Sequence, residues 1–186
     1  MQDREIIDLY FARDERALTE TAEKYGAYCF KVALNIVSGQ EDAEECVNDT
    51  YLAAWNTIPP TVPDILKYYL AKITRGKALD RWKMMHTKKR GGDEMTLVLD
   101  ELAECAGTMA RPEDEILADE LAEKINAFLG TLSVRDRQLF VRRYYFTEPV
   151  GQIAWRAGMS ENGAAVVLHR TREKLRNYLA KEGYLV

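Results

Sequence analysis

Apolar residues recur at intervals of three and four positions along most of the chain, and no run of five or more residues alternates between apolar and polar. Spacing by three and four is typical of a helix with one buried face, whereas alternation is typical of a half-buried strand. The sequence therefore predicts an all-α fold. The predicted helices cover residues 3–12, 14–37, 41–57, 63–86, 113–130, 134–145, 149–157 and 161–181.

One segment, residues 92–112, interrupts this pattern. Its periodicity is weak, it is rich in acidic side chains, and it contains Gly107 and Pro112. Such a composition is typical of a connection between folded regions. The sequence therefore predicts two small helical domains, residues 1–91 and 113–186, joined by a flexible acidic linker.

The last two predicted helices are joined by a three-residue turn, Gly-Met-Ser at 158–160. The glycine suits the position that follows a helix, and the serine suits the N-cap of the next helix. Pro149 suits the first position of the shorter helix, and Ser133 suits the N-cap of the helix before it. A short helix, a tight turn and a longer helix indicate a helix-turn-helix, although an ordinary helical bundle is an alternative on this feature alone.

One face of the final helix carries side chains that suit contact with duplex DNA. At 100° per residue, this face lies away from the apolar stripe that contains Leu168 and Leu175. Asparagine, histidine and arginine bind base edges or phosphates, and an exposed valine can contact a thymine methyl group. A merely solvated face is the alternative. The candidate residues for DNA contact are Ser160, Asn162, Val166, His169, Arg170 and Arg172.

The helix predicted over 41–57 has one apolar face and one acidic face. Its inward stripe is formed by Ala43, Cys46, Val47, Thr50 and Ala54. The other side carries three carboxylates around an apolar side chain, which suits docking to a basic and partly apolar partner. Acidic side chains that only keep the helix soluble are the alternative. The candidate docking residues are Asp42, Glu45, Asp49 and Leu52.

The helix predicted over 63–86 mixes cations with aromatic side chains. Such a mixture suits single-stranded nucleic acid, because the charges hold phosphates and the rings stack on unpaired bases. Aromatic residues buried in the core beside solvated lysines are the alternative. The candidate residues are Tyr68, Lys72, Arg75, Lys77, Arg81, Trp82 and Lys83.

Charge is arranged in blocks. The net charge of −4 combines −8 in residues 1–66, +8 in 67–91, −9 in 92–134 and +5 in 135–186. An acidic total is unusual for a protein that binds nucleic acid alone. Two basic blocks separated by acidic ones fit a protein that uses some surfaces for phosphates and others for a basic partner.

Composition argues against several classes of protein. Of 186 residues, 47% are hydrophobic and 30% are charged, which supports a packed core. No apolar run is long enough for a membrane-spanning helix, and the N-terminal residues do not resemble a signal peptide, so we expect a cytoplasmic protein without membrane insertion. The three cysteines and two histidines form no metal-binding or disulfide pattern, and no catalytic motif is present. We expect neither a cofactor, nor a metal site, nor enzymatic activity.

Three ordered segments resemble bacterial RNA polymerase sigma factors of the short, extracytoplasmic-function type. Residues 42–55 (DAEECVNDTYLAAW) are similar to the core-binding helix of that family, and residues 68–81 (YYLAKITRGKALDR) are similar to its promoter-melting and minus-ten-reading helix. Residues 132–179 are similar to its second DNA-binding domain, including the RYY, GMS and LHRTREKLR segments.

The resemblance implies a set of partners. The first domain is expected to bind the clamp helices of core RNA polymerase and to read and open the minus-ten region of promoter DNA. The second is expected to bind the polymerase flap and the minus-thirty-five element. The acidic linker is expected to follow the path of nascent RNA. We expect no further domain after the last helix, and regulation is therefore expected to require a separate anti-sigma protein.

Two departures from the family pattern affect these expectations. Gly76 follows Arg75 where many relatives have asparagine, and Ala165, Val166 and Val167 replace basic or polar residues. We therefore expect weak and more apolar reading of the minus-thirty-five element. Two other functions are left open by the residues: a helix-turn-helix repressor or activator that acts without polymerase, and a helical adaptor that binds no nucleic acid.

Overall fold

The computed structural model describes residues 1–86, 94–106 and 115–184. Within these ranges every regular element is helical, which confirms the predicted all-α fold. The helices are α1 (Asp3–Phe11), α2 (Arg16–Val37), α3 (Gln40–Thr57), α4 (Leu66–His86), α5 (Glu94–Ala106), α6 (Glu115–Thr131), α7 (Val134–Phe140), α8 (Val150–Arg156) and α9 (Glu161–Lys181). A π-helical turn, Val141–Tyr145, continues α7.

Helix α5 corrects the prediction of a flexible linker over residues 92–112. Residues 94–106 are helical because Met95, Val98 and Leu102 recur at helical spacing, and Val98 is completely buried. Acidic residues surround this short apolar stripe, so composition alone predicts a linker and not a helix. Residues 107–112 lie outside the described residues.

The chain divides into two compact units, Met1–Met95 and Thr96–Val186. In the first unit α2, α3 and α4 pack against one another, and α1 packs on α2. The predicted inward stripe of α3 is confirmed, since all five of its residues are buried. The hydroxyl of Thr50 in that stripe donates to Thr74 Oγ1 of α4 over 3.0 Å, so the buried polar atoms at this contact are paired.

In the second unit α6, α7 and α8 pack on α9, whose buried residues include the predicted stripe. The π-helical turn is marked by the hydrogen bond from the Phe146 amide to the carbonyl of Val141, five residues earlier, at 3.2 Å. Arg143 in this turn has 2% of its surface exposed, although arginine is seldom buried without partners.

The turn between α8 and α9 has the geometry that its sequence predicts. Gly158 has φ of +64°, and the amides of Gly158 and Met159 donate to the carbonyls of Trp155 and Ala154, which closes α8. The hydroxyl of Ser160 accepts the Gly163 amide over 3.1 Å and caps α9. Pro149 differs from the prediction by one position, since it is the N-cap of α8 rather than its first residue.

Candidate functional surfaces

The face of α3 that points away from the core carries an exposed leucine. Leu52 is 60% exposed, and the neighbouring Asp49 is exposed as well. Asp42, Glu45, Asp49 and Leu52 follow one another at steps of three and four residues, so they share one side of the helix. An exposed leucine beside carboxylates has the composition of a docking surface for a partner that is both basic and apolar.

Two of these carboxylates already have a cationic partner within the chain. Arg81 of α4 donates through Nε to Asp42 Oδ1 over 2.6 Å and pairs through Nη2 with Glu45 Oε2 over 2.6 Å. The hydrogen bonds to Glu45 and Asp42 raise the pKa of Arg81. The structure thus joins a predicted DNA-contacting residue to two predicted docking residues, and Arg81 holds α4 against α3.

Asp49 differs from its two neighbours. It forms no hydrogen bond or ion pair with the residues that the structure describes. Its charge and the side chain of Leu52 are therefore the part of the acidic face that is most available to another molecule.

The predicted nucleic-acid-binding residues of α4 do not all lie together. Tyr68, which is 60% exposed, Lys72 and Lys83 share one side of the helix, and Arg75 lies among them, half-buried. Lys77 is exposed on another side, about 140° from Lys72 at 100° per residue. Trp82 is half-buried against the core cluster that contains Ala33 and Ile36, so only part of its ring is available.

Two exposed methionines at the end of α4 were not among the predicted residues. Met84 is 71% exposed and Met85 is 38% exposed, directly after Lys83. At 100° per residue Met84 lies on the side of α4 that carries Lys77, about 160° from Tyr68. The sequence feature that could have predicted this exposure is a pair of consecutive methionines at the point where the inward apolar stripe of the helix ends.

The outward face of α9 presents most of the predicted residues. Asn162, His169 and Arg170 are exposed, and Val166 is 47% exposed. Ser160 is exposed too, but its hydroxyl oxygen is used for the helix cap. A cavity of about 460 Å³ lies between the starts of α8 and α9, and its lining residues are Val150, Ser160, Glu161, Asn162 and Ala165.

Arg172 is the exception on α9, because it is held within the second unit. Its side chain is 13% exposed, and Nη1 donates to Glu101 Oε2 over 3.1 Å and to the Tyr144 hydroxyl over 2.6 Å. Glu101 also accepts from Arg143 Nη2 over 2.5 Å, and its Oε2 accepts from the Tyr144 hydroxyl over 2.8 Å. Arg172 therefore does not lie with His169 and Arg170 on the outward face.

Two residues of this unit were missed by sequence reasoning. Trp155 is 81% exposed on α8, and its signal is a tryptophan outside the stripe that contains Ile153 and Ala154. Glu101 gave no signal, because it is one of many acidic residues in a segment predicted to be a linker.

The described residues contain no helix with both the length and the apolar character that crossing a membrane requires. Among the same residues, no group of three or more histidine, cysteine, aspartate or glutamate side chains is placed to hold a metal ion.

Comparison with known proteins gives a family match in the first unit. Residues 21–85 match the family model described as Sigma-70 region 2. No curated protein is significantly similar to the chain. A solved structure described as CnrH in complex with the cytosolic domain of CnrY has 20% sequence identity and a TM-score of 0.44, and the match covers 96% of this chain and 97% of that chain.

The matched segment runs from α2 to the end of α4 and includes every candidate residue of the first unit, from Asp42 to Lys83. It includes the two segments of this unit whose sequences resemble the core-binding and promoter-melting helices. The predicted resemblance is confirmed for this segment, whose sequence matches region 2 of the sigma-70 family.

Proposed function

We propose that this chain is a sigma factor of the extracytoplasmic-function type that binds core RNA polymerase through α3 and directs it to specific promoters. Such a factor is not an enzyme; it positions the polymerase and assists the opening of DNA. The observation that carries the proposal is the exposed Leu52 beside the carboxylate of Asp49, within the segment that matches region 2.

The docking step is supported by the chemistry of the α3 face. An apolar side chain that is 60% exposed gains free energy when a partner covers it, and Asp49 adds attraction for a basic surface. Asp42 and Glu45 contribute less direct attraction, because Arg81 already neutralises part of their charge. We place the centre of the interface at Leu52.

The opening step is supported by the exposed side of α4. Tyr68 offers a ring for an unpaired base, and Lys72 and Lys83 offer charges for the phosphates on the same side of the helix. Capturing an unstacked base offsets a cost of a few kcal/mol for breaking the duplex. We assign Tyr68 and Lys72 the main role in this step, and Arg81 the role of positioning α4.

The second unit is assigned to the minus-thirty-five element through Asn162, Val166, His169 and Arg170 of α9. One permanent cation, Arg170, lies on this face with the apolar Val166 near it, which supports weak binding that depends on polymerase for most of its affinity. A cytoplasmic location and regulation by an anti-sigma protein belong to the same proposal and rest on the family alone.

The docking step is tested by retention of the purified chain on immobilised core RNA polymerase. We expect Leu52→Asp to abolish retention or to weaken it at least tenfold, because it places a charge in the apolar centre of the interface. The control is Val62→Asp, which introduces the same charge at a valine of the same unit that is 67% exposed and lies outside α3. Equal retention of both variants and of the parent chain would refute the proposal.

The same experiment separates the alternative function. A repressor or activator that acts alone is expected to bind operator DNA tightly without polymerase and not to bind immobilised polymerase.

The opening step is tested by permanganate reactivity of promoter thymines. This reactivity is expected to fall with Lys72→Ala and to persist with Lys77→Ala, which removes the same charge from another side of α4.

A further inference from the structure

Helix α8 carries the most exposed of the large apolar side chains that the structure describes. Trp155 is 81% exposed, and its ring forms no aromatic or cation–π contact with the described residues. At 100° per residue, Trp155 lies about 60° from Gln152 in one direction and Arg156 lies about 40° from it in the other. All three residues are exposed. The outward side of α8 thus presents an indole ring beside a guanidinium group.

A second guanidinium group belongs to the same surface. Arg142 Nη1 donates to Glu148 Oε1 over 3.0 Å, and Arg156 Nε pairs with Glu148 Oε2 over 3.7 Å. The side chains of Arg142 and Arg156 are 39% and 45% exposed, whereas that of Glu148 is 10% exposed. Two permanent cations that share one carboxylate leave a net charge of +1, and the cations are the part that reaches solvent. We call Trp155, Arg156 and Arg142 the α8 surface.

The chemistry of the α8 surface favours a protein partner. Tryptophan and arginine are the residues most enriched at the centre of protein interfaces, where an apolar side chain of the partner covers the ring and a carboxylate pairs with the cation. The phosphate backbone of duplex DNA would pair with the guanidinium groups but would leave the indole ring without an apolar contact. The complementary surface is therefore both acidic and apolar.

The α3 face of this same chain has that composition. Leu52 is 60% exposed, and Asp49 forms no hydrogen bond or ion pair with the residues that the structure describes. The three carboxylates of the face, together with Arg81, which pairs with two of them, carry a net charge of −2. The two surfaces are thus opposite in charge, and each has one large apolar side chain that is mostly exposed.

We propose that the α8 surface of one copy docks on the α3 face of a second copy of this chain. Trp155 then covers Leu52, and the guanidinium groups pair with Asp49. Every copy has both surfaces, so two such contacts close a dimer when each copy binds the other in the same way. The dimer hides Leu52 and is therefore unable to dock on polymerase, and only this consequence rests on the proposed function.

The association is tested by sedimentation equilibrium of the full-length chain from about 5 to 100 μM, the range of a small and transient interface. We expect the average mass to rise with concentration from that of the monomer towards that of the dimer. Trp155→Asp is expected to raise the dissociation constant at least tenfold, because it removes the apolar centre of the contact and repels Asp49.

The control variant is Val134→Asp. It introduces the same charge at a valine of the same unit that is 62% exposed and lies outside α8, so it should associate like the parent chain. A parent chain that stays monomeric over the whole range of concentration, or equal association of the two variants, would overturn the proposal.

A mixture of two variants identifies which surfaces meet. Leu52→Asp removes the α3 side of the contact and Trp155→Asp removes the α8 side, so each variant alone is expected to lose association. Mixed in equal amounts, they are expected to regain it through one intact contact, more weakly than the parent chain. Such recovery also shows that both variants are folded. A mixture that associates no better than the separate variants would rule out contact between these two surfaces.

Retention on immobilised core polymerase, at concentrations too low for self-association, separates this contact from the proposed function. Trp155→Asp is expected to be retained like the parent chain, whereas Leu52→Asp is not. Loss of retention by Trp155→Asp would assign the α8 surface to polymerase and contradict the proposal. Unchanged retention of Leu52→Asp would refute docking to polymerase without affecting the self-association that sedimentation measures.

Discussion

The guanidinium of Arg81 and the carboxylate of Asp42, which are 39 residues apart in sequence, meet at 2.6 Å where α4 crosses α3. Glu45 completes the contact from the next turn of α3. Helices that we assign to two different partners, polymerase and unpaired DNA, are thereby fixed to each other by a charged pair as well as by their apolar core. The position of the DNA-binding side of α4 depends on this contact.

Replacing Arg81 with alanine is expected to destabilise the first unit by about 1 kcal/mol, because the pair is partly exposed and screened by solvent. The corresponding fall in Tm is about 4 to 8 °C for a unit of this size. Thermal unfolding followed by circular dichroism gives both values. Lys77→Ala, which removes an exposed cation of the same helix, is the control and should leave Tm unchanged. A difference between the two variants that persists undiminished in 1 M salt would argue against an electrostatic origin.

The two acidic residues Asp49 and Asp42 are expected to contribute unequally to polymerase binding. Asp49→Asn removes a charge with no internal partner among the described residues and should weaken the Kd for core polymerase about threefold, an effect typical of an exposed ion pair. Asp42→Asn removes a charge that Arg81 already neutralises, so it should cost stability more than affinity. Surface plasmon resonance with immobilised polymerase measures the two Kd values. A larger loss of affinity for Asp42→Asn would place the interface at the start of α3.

The contribution of Glu101 to stability is expected to vanish in acid. Burial alone would raise the pKa of Glu101, but the hydrogen bonds from Arg143 and Tyr144 and the charges of both arginines hold it below its ordinary value of 4.5. A lowered pKa means that the stabilisation is complete above pH 4.5 and is lost as the pH falls through the lower value in the folded state.

The measurement for this prediction is the difference in unfolding free energy between the parent chain and Glu101→Gln, taken from urea titrations at several pH values. We expect a difference of about 1 to 2 kcal/mol at pH 7, because the charge-assisted hydrogen bonds that Glu101 accepts become neutral ones. The difference should shrink steadily below pH 4.5. A constant difference between pH 7 and pH 3 would contradict the assignment of the lowered pKa to this carboxyl group.

Two glycines are expected to respond to alanine with opposite signs. Gly158→Ala should destabilise the second unit by about 1 kcal/mol, since its φ of +64° is unfavourable for a residue with a Cβ atom. Gly76→Ala should stabilise the first unit by about 0.5 to 1 kcal/mol, because Gly76 is helical and no atom lies within 4 Å of an added Cβ. Urea titration of the two variants decides the signs. Destabilisation by Gly76→Ala would mean that α4 is not a continuous helix at this point.

Local signals explain what the sequence could predict. The buried stripes of α3 and α9 follow from periodicity, and the starts of α7 and α9 follow from the side-chain caps of Ser133 and Ser160. The exposure of Leu52 and Val166 follows in the same way, since both lie off the apolar stripes. These features depend on residues within one or two helical turns of each other.

Long-range pairing explains what the sequence could not predict. Arg81 and Arg172 both belong to basic segments and were assigned to DNA, but their acidic partners lie 39 and 71 residues away. No pattern within one helix reveals such a partner. The same reason applies to α5. The contacts that distinguish it from a linker, those of Val98 and Glu101, are with residues of the second unit that are distant in sequence.

The backbone of the π-helical turn at Val141–Tyr145 determines the direction in which Arg143 and Tyr144 project, and both hydrogen-bond to Glu101. A turn of this kind accommodates one residue more than a regular helix. Removing one residue here would keep two arginines in the segment but rotate every following side chain by about 100°, carrying the Tyr144 hydroxyl away from its acceptor. In this stretch a change in length is therefore as disruptive to the hydrogen bonds of Glu101 as the loss of one of their donor side chains.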